Sequence, residues 1–158
     1  MIRAGLLLAA SAVTAWPANL YVVDVRLPPG ASGKGTWLPG RSEAIAARAT
    51  LRRFLITPSA TLRSWDREGA VTIAAAFDRY TIQVEGVRAP GPRQFNATEG
   101  IGPKLIHMDG FCPRIASHWG AEVAQRQQLV FDGGDCVFQA LYDVRSGRVV
   151  HFSINGIA

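Results

Sequence analysis

Residues 136–155 read CVFQALYDVRSGRVVHFSIN, and this stretch decides the fold class. Cys136 to Asp143 and Arg148 to Asn155 are rich in β-branched and aromatic residues, and Val144-Arg145-Ser146-Gly147 separates them with turn chemistry. Two such runs joined by so short a connection predict a hairpin. Immediately upstream, Glu122 to Phe131 predicts a third strand, joined through Asp132-Gly133-Gly134-Asp135. The three make a C-terminal meander. Asp132 and Asp135 are read as turn residues, not as calcium ligands. His151, between the expected core residues Val150 and Phe152, faces outward.

Working back from the meander, Lys104 to Asp109 (KLIHMD) predicts a short strand, with Ile106 and Met108 on one face and Leu105, His107 and Asp109 on the other. Asp109-Gly110 then reads as a turn. Pro113 to Gly120 predicts a helical turn, Pro113 suiting a first helical position. From Val71 the pattern has period two. Val71, Ile73, Ala75 and Phe77 share one parity, and Tyr80, Ile82 and Val84 the other, so a bulge or tight turn at Asp78-Arg79 must absorb one residue, and either way the segment is expected to be β. Between them and Lys104 lies a Pro- and Gly-rich loop, Gly86 to Pro103, holding the sequon Asn96-Ala97-Thr98.

One substantial helix is predicted. Ser42 is the expected N-cap, Glu43 sits in the first turn, and Ala44, Ala47, Leu51, Phe54 and Leu55 recur at helical spacing. Pro58 ends it near Thr57. Before it, Leu20 to Leu27 (LYVVDVRL) reads as a strand stopped by Pro28-Pro29. The sum is a single α+β domain in which one main helix packs on a curved antiparallel sheet. The element order resembles cystatin-like and NTF2-like folds in pattern alone, with no shared motif, and fold pattern by itself carries no function.

The N-terminus sets the expected compartment. Arg3, the apolar run from Ala4, and small residues ending at Ala15 have the three-part form of a secretory signal. Residues 1–15 are therefore expected to be removed, leaving residues 16–158 as one domain in the periplasm or outside the cell. The apolar run is shorter than the roughly 20 residues of a bilayer-crossing helix, so stable membrane insertion is not expected. In an oxidising compartment the only two cysteines, Cys112 and Cys136, point to a disulfide, with free thiols or a metal site as the alternatives. A Cys2His2 set of His107, Cys112, His118 and Cys136 matches no common zinc spacing, so no metal is assigned.

Residues 28–37, PPGASGKGTW, resemble the phosphate loop of adenylate kinases, Gly-x-Pro-Gly-x-Gly-Lys-Gly-Thr, in Pro29-Gly30 and Gly33-Lys34-Gly35-Thr36. That resemblance implies nucleotide binding. The sequence departs from it by an extra residue at Ala31-Ser32, by Pro28 where the leading Walker glycine belongs, and by Pro39-Gly40 where the helix should start at once. The stretch is read as a connection, with Lys34 in solvent and no nucleotide or other cofactor expected.

Charge points to no partner class. The net charge is +5, but 15 of the 17 basic residues are arginine, a skew that reflects base composition of a gene as readily as a binding surface, so nucleic acid is not expected. Arg48 and Arg52 flank the apolar helix stripe and are the candidates for an anion-binding edge. Four tryptophans, Trp16, Trp37, Trp65 and Trp119, fall in or near predicted loops, where an aromatic caps a core edge or anchors a partner; Trp37 and Trp119 are the binding candidates. No serine lies in a G-x-S-x-G elbow. His107 and Asp109, on one strand face, are the low-ranking acid–base candidates. The expectation is a small exported binding or interaction protein whose partner is another protein or an apolar small molecule. The alternatives are an enzyme with a pocket between helix and sheet using His107 and Asp109, and arginine-mediated binding of an anionic envelope polymer or lipid.

Overall fold

The computed structural model describes residues 17–22, 36–88, 102–124 and 133–155. The signal segment, Trp16, Lys34 and the rest of residues 23–35, most of the 86–103 loop with its sequon, and residues 125–132 lie outside the described residues. The chain is α+β: three helices pack on a mostly antiparallel open sheet. The elements run β1 (Leu20–Val22), β2 (Thr36–Trp37), α1 (Arg41–Ile56), α2 (Ser64–Ala76), β3 (Thr81–Arg88), β4 (Lys104–Phe111), α3 (Pro113–Trp119), β5 (Gly134–Asp143) and β6 (Arg148–Asn155). Strand order is β1-β3-β4-β5-β6. Parallel β1 and antiparallel β2 share one edge of β3, β1 opposite Ile82 to Val84 and β2 opposite Gly86 and Val87.

The main helix forms as its periodicity requires. Ala44, Ala47, Leu51 and Leu55 are fully buried on one stripe, and Thr57 before Pro58 is the C-cap. The N-cap is Gly40, two residues before the expected Ser42. Glu43 explains the shift, because its carboxylate reaches back to accept the Gly40 N–H at 2.8 Å and so satisfies one of the orphan donors of the first turn.

Residues 71–77 correct the sequence reading. They are not a strand: α2 covers Ser64–Ala76, and Phe77–Arg79 is a 3₁₀ turn leading into β3. The buried positions are Asp66, Gly69, Ala70, Ile73 and Phe77, a helical series that starts upstream of Val71, while Val71 itself is exposed. Ala74-Ala75-Ala76 favour helix on propensity. The alternation that begins at Val71 is a coincidence in a segment satisfying both periods, and burial against the sheet selects the longer one.

β4 also runs further than expected. Asp109-Gly110 is no turn but continues the ladder, Asp109 opposite Gln83 and Gly110 opposite Ile82. The glycine is there for space, since a Cβ at Gly110 would lie 2.0 Å from the ring of Phe138. Phe138 fills that gap and is fully buried. At the start of the expected 122–131 strand, Gly120–Ala124 is a 3₁₀ turn. The meander is therefore β4-β5-β6, with α3 inserted after its first strand. In the β5–β6 hairpin Gly147 adopts φ 68°, and Asp143 accepts the Arg145 N–H at 2.8 Å, as the turn residues demand. Val150 is exposed, against expectation, because the register slips between the pairs Leu141/His151 and Tyr142/Val149. Val150 is the extra residue of that bulge.

The sheet has two unlike faces. Ile82, Val84, Ile106, Met108, Phe138, Ala140 and Phe152 face α1 and α2 and make the core with Leu51, Leu55, Ile73 and Phe77. The opposite face carries Gln83, Glu85, His107, Asp109 and Gln139. Cys112 and Cys136 form a disulfide between β5 and the residue following β4, with Cα atoms 4.8 Å apart. No described helix is long and apolar enough to cross a membrane.

Candidate functional site

Register builds the polar cluster. In an antiparallel pair, directly opposed residues project to the same side of the sheet, with their Cβ atoms about 5 Å apart. Glu85 is opposite His107, Gln83 opposite Asp109, and across the other edge of β4 Asp109 is opposite Gln139. Two residues along one strand return to the same face, which adds Asp109 to the His107 group. Thus three titratable side chains meet on a patch whose backbone is fixed by ladder hydrogen bonds on both sides of β4.

The side chains use that placement. His107 Nδ1 lies 2.7 Å from Glu85 Oε1 and 3.5 Å from Asp109 Oδ2. Because a carboxylate only accepts, the ring carries its proton on Nδ1 and donates to Glu85. The three side chains are largely withdrawn from water, 18 % exposed for His107, 12 % for Glu85 and 7 % for Asp109. Burial pulls the imidazole toward its neutral form, but the Glu85 hydrogen bond and the charges of Asp109 and Glu85 together outweigh it, and the His107 pKa is raised above its ordinary value. With Nδ1 engaged, Nε2 makes no hydrogen bond among the described residues.

His107 and Asp109 thus share a face, as the strand period requires. They face away from α1 and α2, so the pair does not line a space between the main helix and the sheet. Odd-numbered residues of β4 point outward, and Ile106 and Met108 occupy the helix side. Glu85, the nearest partner of His107, was missed by sequence reasoning. Its only signal is a carboxylate inside the otherwise uncharged run from Thr81 to Val87, and pairing it with His107 requires the β3–β4 register.

The other candidates have structural partners. Trp37 donates its indole N–H to the Val87 and Leu105 carbonyls, both at 3.2 Å, and Lys104 Nζ sits 4.5 Å over its ring. It lies across Gly86, where a Cβ would be 2.7 Å from the indole. Trp119 stands edge-on to Phe111 with centroids 4.8 Å apart. Arg48 and Arg52 do not stand as a pair of open cations; both hold Asp78, at 3.1 Å and 2.9 Å. Arg48 also covers the Phe77 ring at 4.9 Å. The disulfide uses both thiols, which removes the Cys2His2 alternative. Asp135 offers its backbone carbonyl to the Tyr80 hydroxyl at 2.9 Å.

No protein-family model, no curated protein and no solved structure matches this chain.

Proposed function

We propose that the chain is a small exported binding protein, periplasmic or secreted, whose ligand seat is the outer sheet face centred on His107. The observation that carries this reading is the convergence of Glu85 and Asp109 on one imidazole nitrogen in a largely dehydrated patch. Two carboxylates on so small an area favour a ligand that brings positive charge or hydrogen-bond donors, and partial burial strengthens such contacts relative to open water. Gln83 and Gln139, paired with Asp109 in register, border the same patch. The disulfide supports an oxidising compartment.

Two measurements test the reading. Intact mass of the protein from the exported fraction should show loss of the first fifteen or so residues and a two-dalton deficit for the disulfide; a full-length reduced chain in the cytoplasm would refute export. Amide spectra recorded during titration with choline, putrescine and zinc chloride should shift at Glu85, His107 and Asp109 for at least one probe. Shifts confined to other surfaces would refute the seat.

A second reading is an enzyme using His107 as general base. It is favoured by one feature, the carboxylate on Nδ1 that orients the ring and leaves Nε2 for proton transfer. Turnover of chromogenic ester, phosphate or glycoside substrates that disappears in both His107→Gln and Glu85→Gln would support it. Turnover indifferent to both would sink it.

A further inference from the structure

We propose that Glu85, His107 and Asp109 coordinate a divalent transition-metal ion of the zinc class. This deepens the binding reading, on which it rests, by naming the ligand of the same seat.

The geometry points to an ion because three donors from two strands aim at one small volume. One ligand atom from each residue lies within 4.8 Å of the other two. The contacts to His107 Nδ1 are 2.7 Å from Glu85 and 3.5 Å from Asp109. In a tetrahedral zinc shell, with bonds of about 2.0–2.2 Å, neighbouring donors stand about 3.3–3.5 Å apart. The His107–Asp109 spacing already meets this. The Glu85 carboxylate must withdraw from Nδ1 by roughly 0.6–0.8 Å to reach it. The bond now made by the Nδ1 proton is what the ion replaces. On binding, Nδ1 becomes the ligand: a neutral ring gives up its Nδ1 proton and takes one on Nε2 from solvent, whereas an imidazolium releases its Nδ1 proton to solvent and keeps the one on Nε2.

The donor set selects among metals. Calcium takes six to eight oxygens and magnesium prefers oxygen and water, so an imidazole nitrogen argues against both. One imidazole and two carboxylates suit zinc, cobalt, manganese and ferrous iron. The thiols that favour soft ions are locked in the disulfide. Three protein ligands leave a fourth position, the arrangement of zinc sites that keep a water or a substrate.

The test uses the oxidised, full-length mature protein after chelator dialysis, titrated calorimetrically with zinc chloride and spectroscopically with cobalt chloride. The expected result is one ion per chain at micromolar or tighter Kd, with visible cobalt bands. Glu85→Gln, His107→Gln and Asp109→Asn should each weaken binding at least tenfold while their circular dichroism matches the parent. His118→Gln and His151→Gln, both at exposed positions, should bind as the parent does. Absence of zinc binding at millimolar concentration overturns the proposal, as does binding lost in the His118 or His151 variant and kept in the His107 variant. If choline or putrescine shifts the cluster while zinc does not bind, the seat survives and the metal assignment fails. If none of the three probes touches the cluster, both fail.

Discussion

Asp66, in the first turn of α2, accepts the backbone N–H of Ile154 in β6 at 2.9 Å. Its second oxygen takes the Arg63 guanidinium at 2.7 Å. β6 is the last strand of the sheet, and an unpaired edge is a template for association with another chain. A helix carboxylate satisfies part of that edge here. Gly69, one turn further along, permits the close packing, since a Cβ there would lie 2.9 Å from Ile154 Cδ1. Asp66→Ala should leave a half-buried N–H without its acceptor and cost about 2–3 kcal/mol. Asp66→Asn, which keeps an oxygen in the same place, should cost about 1 kcal/mol. Urea unfolding followed by circular dichroism measures both; equal losses would show that only the volume of the side chain matters.

Trp37 and Gly86 form the second joint. At residue 86 a Cβ would meet the Trp37 carbonyl oxygen at 2.2 Å as well as its indole, and the indole is held by two carbonyl acceptors. Neither group has room to yield without breaking the β2–β3 pairing. Gly86→Ala is expected to destabilise the fold by about 3 kcal/mol. It should also red-shift the tryptophan emission as the indole is pushed into water. An unchanged spectrum would mean that Trp37 is not seated across Gly86.

The arginine pair predicts a contrast. Asp78 is 58 % exposed, and so are many surface ion pairs that contribute little. Asp78→Ala should cost less than about 1 kcal/mol, and Arg52→Ala less still. Arg48→Ala should cost more, about 1–2 kcal/mol, because its stem is packed and its guanidinium covers Phe77. Asp78→Ala should also lengthen retention on an anionic resin, since it releases two guanidiniums from one carboxylate. Equal losses for the two arginine variants would contradict the packing role of Arg48.

What was legible in the sequence follows from which signals are local. The β5–β6 hairpin and α1 carry one period each and end at residues with fixed backbone demands, Gly147 and Pro58, so both were readable. Residues 71–77 satisfied two periods at once, and only burial of Gly69, Ala70 and Ile73 against the sheet decides between them. Gly110 looked like a turn residue beside Asp109 because its actual role, making room for Phe138, depends on a residue 28 positions away. The His107–Asp109 pairing was legible as a strand spacing. Glu85 was not, because its place opposite His107 depends on a register across 22 residues, and nothing along the chain states which residues a strand will face.

Tyr80 makes a prediction about alkaline stability. Its hydroxyl donates to the Asp135 carbonyl at 2.9 Å, and its ring packs at 5.7 Å from Phe138. Burial, and next the negative charge of Asp135, raise its pKa above the usual value near 10, against the smaller opposing pull of Arg79. The folded state therefore holds the phenolic proton to higher pH than the unfolded chain does. By linkage the stability this residue contributes is fully present below about pH 10 and is lost as pH rises through the raised folded value. Tyr80→Phe removes the hydrogen bond and the ionisable group together. At about pH 8 it should be less stable than the parent by about 1 kcal/mol. At about pH 10.5 that gap should narrow, because only the parent suffers the ionisation. Urea unfolding of both proteins at the two pH values measures the difference directly, and a gap that stays constant would mean that the phenol is not protected by its burial.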